Sequence, residues 1–174
     1  MDIGSNVGEL LVNFANEKIN VCGVDPAKNI ARKAIKRGVP TITEFFDKKI
    51  ENILKKKKKF PKIITGTNVF AHINDIQGSL KVIKNILKPD GVLVIEAPYL
   101  KNLISGLAYD TIYHEHLMYL SVNPMIKLFK KFEFEIFDVE FKKIHGGSIR
   151  VFVKHKDGPY RISSKIKKIS KNEI

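Results

Sequence analysis

The sequence predicts an α/β protein with a mostly parallel sheet that ends in an antiparallel pair. Three observations carry this expectation. Short apolar runs alternate with stretches of helical periodicity along most of the chain. The run "GVLVIEA" is almost continuously apolar, as in a strand covered on both faces. Near the end, "FEFEIFDVEF" and "SIRVFVKH" follow one another through the short connection "KKIHGG", which suits an antiparallel hairpin.

The elements follow in order. A glycine turn in "MDIGSNVGELL" separates a strand end from a helix, and "VGELLVNFANE" puts Val7, Leu10, Leu11, Phe14 and Ala15 on one helical face. "INVCGV" (19–24) reads as a short buried strand. "PAKNIARKAIKRG" is a helix opened by Pro26 and closed by Gly38. A third helix is expected over Phe45 to Lys57, and "KIITG" (62–66) as the next strand. "SLKVIKNILKPDG" is a helix stopped by Pro89-Asp90-Gly91, leading into "GVLVIEA". In "NPMIKLFKKF", Asn123 is the expected N-cap and Pro124 the first helical residue, with Met125, Leu128, Phe129 and Phe132 on the buried face. The tail "GPYRISSKIKKISKNEI" is polar and basic and reads as a linker.

Composition narrows the function classes. A chain of 174 residues with 44% apolar content suits one domain with a sizeable core. A single cysteine, Cys22, leaves no disulfide framework or multi-cysteine zinc site within this sequence. No apolar run approaches the roughly 20 residues of a membrane-spanning helix, and no signal peptide is evident. A cytoplasmic location is the simplest expectation. The net charge of +13 would attract a polyanion: nucleic acid, an anionic membrane or a phosphorylated substrate. The densest basic run, "LKKKKKFPK" (54–62), has one aromatic residue and no arginine, and reads as a solvated helix end and loop. An enzyme acting on nucleic-acid bases would need a base-holding, stacking pocket, and no such motif stands out.

The first glycine loop points to a cofactor. Gly4 and Gly8 frame the turn, and Asp25 ends the next strand 21 residues after Gly4. A doubly wound fold places an acid there to hold a ribose hydroxyl, and N–H groups at a helix start can hold an anion. The dinucleotide fingerprint needs a middle glycine to admit a pyrophosphate. Asn6 occupies that position, which disfavours a nicotinamide oxidoreductase and favours S-adenosylmethionine, an adenosine cofactor without pyrophosphate.

The blocks "DIGSNVGELL", "GVDPAKNIARKA", "TNVFAHINDI", "LKPDGVLVIEAPYL", "YDTIYHEHLMYLS" and "VEFKKIHGGSIRVFV" occur in this order. Together they resemble the S-adenosylmethionine-dependent sugar C-methyltransferases that act on nucleotide-linked keto-deoxysugars. The resemblance runs from residue 2 to about residue 155. It implies a Rossmann-like class I methyltransferase fold with a sheet of seven-stranded type. That family joins a cysteine-rich zinc domain, a central methyltransferase domain and a C-terminal domain, and this sequence matches the central part. Residues 1–157 are therefore expected to form the methyltransferase domain, with its first strand cut short, and residues 158–174 a linker towards a C-terminal domain. A separately encoded zinc domain or C-terminal domain is a conceivable partner, and a chain without them is expected to be a poor enzyme of marginal stability. The family loop usually reads G-S-N-D-G, whereas Val7 replaces the acid here.

By resemblance, Gly4, Ser5, Asn6 and Gly8 would line the methionine end of the cofactor, Asp25 would hold the ribose, and Asn68 would lie beneath the cofactor. His72, Tyr113, Glu115 and His116 match the family's active-site positions, with His116 as the general base. C-methylation next to a ketone needs such a base, because the carbon becomes a nucleophile only as an enolate. An imidazole suits proton removal at neutral pH. Tyr113, three residues before His116, could assist the enolate or the base if the segment is helical. Glu115 could fix the imidazole tautomer or bind a sugar hydroxyl. The spacing H-x-H also occurs in metal sites, with His114, Glu115, His116 and His145 as possible ligands. With the resemblance, acid–base chemistry is the reading and no metal is expected. "HGGS" (145–148) is expected to form a tight hairpin near the pocket. The rival to an active enzyme is a catalytically inactive fragment or cofactor-binding subunit of a split methyltransferase.

Overall fold

The computed structural model describes residues 1–173. Among them, seven strands form one sheet: β1 (Asp2–Ile3), β2 (Gly23–Val24), β3 (Thr41–Ile42), β4 (Ile63–Thr67), β5 (Val92–Pro98), β6 (Phe134–Lys142) and β7 (Ser148–His155). Their order is β3-β2-β1-β4-β5-β7-β6. The first five strands run parallel, and β7 is antiparallel to both β5 and β6. This is the doubly wound arrangement with an antiparallel last pair that the sequence predicts. The chain reverses direction across the sheet at β1 and β4, where such folds open a crevice at the carboxyl ends of the strands.

The helices are α1 (Glu9–Asn16), α2 (Lys28–Lys36), α3 (Lys48–Lys57), α4 (Ile76–Ile86), α5 (Leu100–Ser105), α6 (Val122–Lys131) and α7 (Lys165–Asn172). Asp47 caps α3 by accepting from Lys49 N at 2.8 Å, and Asp75 caps α4 by accepting from Gly78 N at 2.8 Å. Each satisfies one N–H that the first helical turn leaves open. Ile64, Leu93 and Ile95 of β4 and β5 are buried beneath Leu80, Ile83 and Ile86 of α4 and Met125 and Phe129 of α6. Leu93, Ile95 and Ala97 of β5 are buried, but Val92 and Val94 on the other face are only half-buried, so the unbroken apolar run does not mark a strand covered equally on both faces.

Three expectations are corrected. On α1 only Leu11 is buried, while Leu10 and Phe14 are 38% and 42% exposed. The helix rests on a small separate cluster with Ala34 and Val39, and the two-residue strands beneath offer too little surface to cover the rest of its stripe. Helix α6 starts before Asn123, with Ser121 at the N-cap. Its open N–H groups are met from the far end of the chain: the Glu173 carboxylate accepts from Val122 N and Asn123 N, both at 2.7 Å. That bond belongs to the third correction. The segment read as a linker from Gly158 instead folds back and contains α7. Ile166 buries its side chain, Ser163 N donates to Phe137 O at 2.8 Å, and Tyr160 stacks on Phe137 at 4.8 Å.

Candidate active site

The crevice residues come from three places. The glycine loop leaves β1, a short 3-10 turn (Phe70–His72) follows β4, and the "YHEH" segment runs between α5 and α6. Gly4 and Gly8 both have left-handed backbone, with φ of +66° and +78°. A methyl group on Gly4 would lie 2.7 Å from Val69 Cγ2, so glycine is needed for the loop to close on the residues after β4. Gly8 serves packing: a methyl group there would lie 3.0 Å from Val39 Cγ2 and 3.3 Å from Ala34 Cβ, so glycine lets the start of α1 sit close on α2 and the loop after it.

The loop's own N–H groups are largely spoken for, contrary to a simple anion cradle. Gly4 N and Ser5 N donate to Val24 O, Gly8 N donates to Ser5 O, and Val7 N donates to the Asn6 side-chain oxygen. Asn6 N donates to Asp25 Oδ2 at 3.0 Å, and Ala27 N donates to Asp25 Oδ1 at 2.9 Å. Asp25 thus ties the loop after β1 to the start of α2. No side chain caps α1, so the N–H groups of its first turn stay open to a ligand. Val7 is half-buried at the entry to α1.

Two buried polar atoms at this junction have no hydrogen-bond partner, Ser5 Oγ and Asn68 Oδ1. Buried polar atoms are nearly always satisfied, so an orphan beside a crevice marks a place where a ligand can supply the missing group. Asn68 Oδ1 sits next to Val69, which packs against Gly4, and its backbone is left-handed with N donating to Glu96 O at 2.8 Å. Ser5 points the other way, into the sheet over Gly23. The residues fit an adenosine cofactor on the Asp25 and Asn68 sides. Asp25 accepts from Asn6 N, Gly4 packs on Val69 next to Asn68, and Ser5 lies over Gly23 behind the loop.

The "YHEH" segment is a turn, not a helix: Tyr109–Thr111 form a 3-10 turn, and His116 N donates to Tyr113 O at 3.1 Å. The segment docks on the turn after β4 through two bonds. Leu117 N donates to Ala71 O at 2.9 Å, and His72 Nδ1 donates to Glu115 O at 2.8 Å. This brings the His72 and His116 rings to a centroid distance of 5.0 Å.

The tautomer of His116 follows from its partners. Nδ1 lies 2.9 Å from the Thr111 carbonyl oxygen, which can only accept, so Nδ1 carries the proton. In the neutral ring Nε2 then holds the lone pair, and the Tyr113 hydroxyl donates to it at 2.8 Å. The same argument leaves the lone pair of neutral His72 on Nε2. Tyr119 frames the site with its ring edge-on to His116 at 5.9 Å and its hydroxyl donating to Thr111 O at 3.2 Å. Glu115 acts here through its backbone carbonyl; its exposed side chain does not set the tautomer. Thr111 does so instead, and sequence reasoning missed it because a carbonyl leaves no trace in residue identity. His114 and His145 are exposed and apart from this cluster's bonds. Among the described residues, no group of three or more His, Cys, Asp or Glu side chains is placed to hold a metal ion.

The hairpin at 143–147 lies alongside. Tyr99 N donates to Gly147 O at 3.0 Å, and Gly147 packs against Asn102 of α5. Tyr99 also bridges to Leu120, where Leu100 N donates to Leu120 O at 2.9 Å. Among the described residues, no helix is long and apolar enough to cross a membrane.

Comparison with known proteins agrees with this architecture. The profile of a family described as a methyltransferase domain matches residues 1–139. A curated relative, the C-methyltransferase NovU of Streptomyces niveus, is 38% identical over 152 residues, covering 87% of this chain and 36% of its own length. The chain thus spans about a third of that relative. Among solved structures, an S-adenosylmethionine-dependent methyltransferase of Thermotoga maritima, described as a possible histamine N-methyltransferase, has a TM-score of 0.66 at 20% identity, covering 90% of this chain and 80% of its own. Magnesium protoporphyrin IX methyltransferase of Synechocystis, with bound SAH, has a TM-score of 0.66 at 13% identity over 88% and 72%. An S-adenosylmethionine-dependent methyltransferase of Clostridium acetobutylicum scores 0.66 at 16% identity over 88% and 82%. These likenesses establish the fold, and the profile match over most of the sequence establishes more: the chain belongs to the methyltransferase-domain family, whose members take the methyl group from S-adenosylmethionine.

Proposed function

We propose that the chain is the catalytic domain of a C-methyltransferase that methylates the carbon next to the ketone of a nucleotide-linked deoxysugar. The observation that carries this reading is the pairing at His116. A carbonyl fixes the proton on Nδ1, and the basic nitrogen Nε2 is turned to a phenol. The 38% identity to a C-methyltransferase supports carbon as the acceptor.

His116 is the general base. Its Nε2 takes the proton from the carbon beside the ketone, and the charge that develops on the ring is shared with the Thr111 carbonyl through Nδ1. Tyr113 releases its bond to Nε2 as substrate enters and donates to the oxygen of the developing enolate. His72, its ring at 5.0 Å, is held through Nδ1 by Glu115 O, which leaves Nε2 to accept from a sugar hydroxyl. Asp25 would hold the ribose of the cofactor, Asn68 Oδ1 would accept from it, and the open N–H groups of α1 would take its carboxylate. S-adenosylmethionine, when bound, would supply an electrophilic methyl carbon whose bond to the sulfonium breaks as the new carbon–carbon bond forms, leaving S-adenosylhomocysteine. Positioning of the two carbons provides much of the rate.

The test uses a nucleotide-linked keto-deoxysugar in deuterated water. His116→Asn should abolish both methyl transfer and deuterium uptake next to the ketone, while cofactor affinity changes less than twofold. Deuterium uptake that persists in His116→Asn would move the base to His72. A second reading, a cofactor-binding subunit that needs a partner for catalysis, is favoured by the openness of the site. Tyr113 is 47% exposed. S-adenosylmethionine binding without transfer, with transfer restored by adding a partner chain, would establish that reading.

A further inference from the structure

A groove of about 730 Å³ lies between α5, the carboxyl half of β6 and α7, outside the crevice already described. Lys101, Lys142, Lys165 and Lys168 line it. The lining holds one carboxylate, Glu140, which is engaged by Lys142 at 2.6 Å and Arg150 at 3.6 Å. Lys165 also lies 3.6 Å from Asp138 Oδ1 just outside the lining, so four ammonium groups face these two carboxylates and the groove keeps an excess of positive charge. Lys165 and Lys168 are three residues apart on α7 and so share one side of the helix. The floor is aromatic. Phe141 is 54% exposed, and its ring lies 5.5 Å from that of buried Tyr99.

A phenylalanine face laid open among lysines is costly to hydrate and gains nothing from the charges unless a ligand covers it. The ligand that answers both features has a flat ring and two or more negative charges. Its size is bounded too: the volume falls within the range of small-molecule sites. The groove also stands at a telling distance from the reacting groups. His72 follows β4, whereas the groove borders β6, three strands away in the order β4-β5-β7-β6. At roughly 4.8 Å per strand the offset is about 14 Å, the reach of a sugar carried on a nucleoside diphosphate. Both places lie at the end of the sheet where β4 and β5 finish. Tyr99, in the groove wall, bridges directly to Leu120 of the segment that carries His116.

We propose that this groove binds the nucleoside diphosphate of the substrate, with the base on Phe141 and the phosphates among Lys101, Lys142, Lys165 and Lys168. The proposal rests on the nucleotide-linked substrate proposed above. It assigns a function to α7, which brings two of the four lysines and whose last carbonyl, that of Asn172, accepts from Lys101 Nζ.

Calorimetry on the full chain with thymidine diphosphate, uridine diphosphate and inorganic pyrophosphate tests it. The nucleoside diphosphates should bind at least fivefold more tightly than pyrophosphate. The double variant Lys165→Gln/Lys168→Gln should weaken both kinds of ligand by tenfold or more. Phe141→Ala should weaken only the nucleotides. The control Lys56→Gln/Lys57→Gln/Lys58→Gln, at the exposed end of α3, removes more charge and should leave binding within twofold. Melting curves would show that each variant is folded. Equal losses in the control, equal affinity for pyrophosphate and nucleotides, or no binding would overturn the groove. The two readings separate cleanly. Nucleotide binding lost in the double variant, without methyl transfer to any keto-sugar, would overturn the proposed reaction and keep the groove. Transfer with an unchanged KM in the double variant would keep the reaction and overturn the groove.

Discussion

Asp25→Asn is the sharpest probe of the cofactor crevice. The carboxylate accepts from two backbone N–H groups, one from each oxygen: Asn6 N at 3.0 Å and Ala27 N at 2.9 Å. An asparagine has one carbonyl oxygen, so its NH₂ must face one of those donors. The side chain will keep Ala27 N, two residues away in the same turn, and abandon Asn6 N. A charge-assisted hydrogen bond contributes about 1.5–3 kcal/mol. Asn6 is exposed, so water rescues part of that loss, and about 1–2 kcal/mol of stability should disappear. For a chain of this size that is a fall in Tm of roughly 2–8 °C. Cofactor binding should suffer more, because the same carboxylate is assigned to the ribose hydroxyls. One further charge-assisted bond lost there is about 10–100-fold in affinity for S-adenosylmethionine. Thermal unfolding without ligand reads the first effect and titration calorimetry the second. A lower Tm with unchanged affinity would reduce Asp25 to a brace for the loop. An unchanged Tm would refute the hydrogen-bond argument itself.

Three further perturbations test separate parts of the argument. Gly4→Ala forces a left-handed residue to carry a side chain 2.7 Å from Val69 Cγ2, which should cost about 2–3 kcal/mol and abolish cofactor binding; a variant that melts like the parent and binds normally would show that the loop has room. Tyr113→Phe removes the hydroxyl on His116 Nε2 and should lower kcat about 10–100-fold with little change in Tm, so unaltered turnover would remove Tyr113 from the reaction. Buried Glu51 would have its carboxyl pushed up by burial, but hydrogen bonds from Lys48, Lys55 and Asn85 prevail and hold it at about 2. A carboxyl depressed on folding gives stability that is complete above its unfolded pKa and is lost as pH falls from about 4.5 towards 2; Glu51→Gln should flatten unfolding free energy against pH in that window, and an unchanged curve would mean that the pairs of buried Glu51 with the exposed Lys48 and Lys55 add nothing.

The sheet was legible because its signals are local. Pro89-Asp90-Gly91 does stop α4 before β5, and the two strands joined by "KKIHGG" do pair antiparallel. Where burial depends on what another part of the chain brings, the same signals mislead. Leu10 and Phe14 lie on the expected stripe of α1, yet no neighbour is wide enough to cover them. In the tail, Ile166 and Ile169 keep helical spacing, but the seven lysine and serine residues around them hide the pattern until β6 and α6 provide the surface they meet. The N-terminus of α6 fails for the same reason, since Glu173 lies 51 residues from the N–H it satisfies.

The candidate site divides along a related line. His72, Tyr113 and His116 could be named from the sequence, because a side chain that does chemistry must be of a particular type. What holds His116 in one tautomer could not. Its tautomer is set by the carbonyl of Thr111, its neighbour His72 is held by the carbonyl of Glu115, and the whole segment is hung on the carbonyl of Ala71. A carbonyl is common to every residue, so substitution at Thr111 or Glu115 would leave these bonds in place. Only the path of the backbone between α5 and α6 determines them. That path is clamped at both ends: Leu100 N donates to Leu120 O, and Glu173 joins the Tyr99 hydroxyl to the first N–H groups of α6. Tyr99 is therefore the hinge between the chemistry and the tail. Burial, with the Glu173 carboxylate beside it, pushes its phenol pKa up, so at neutral pH the hydroxyl is protonated and donates to that carboxylate.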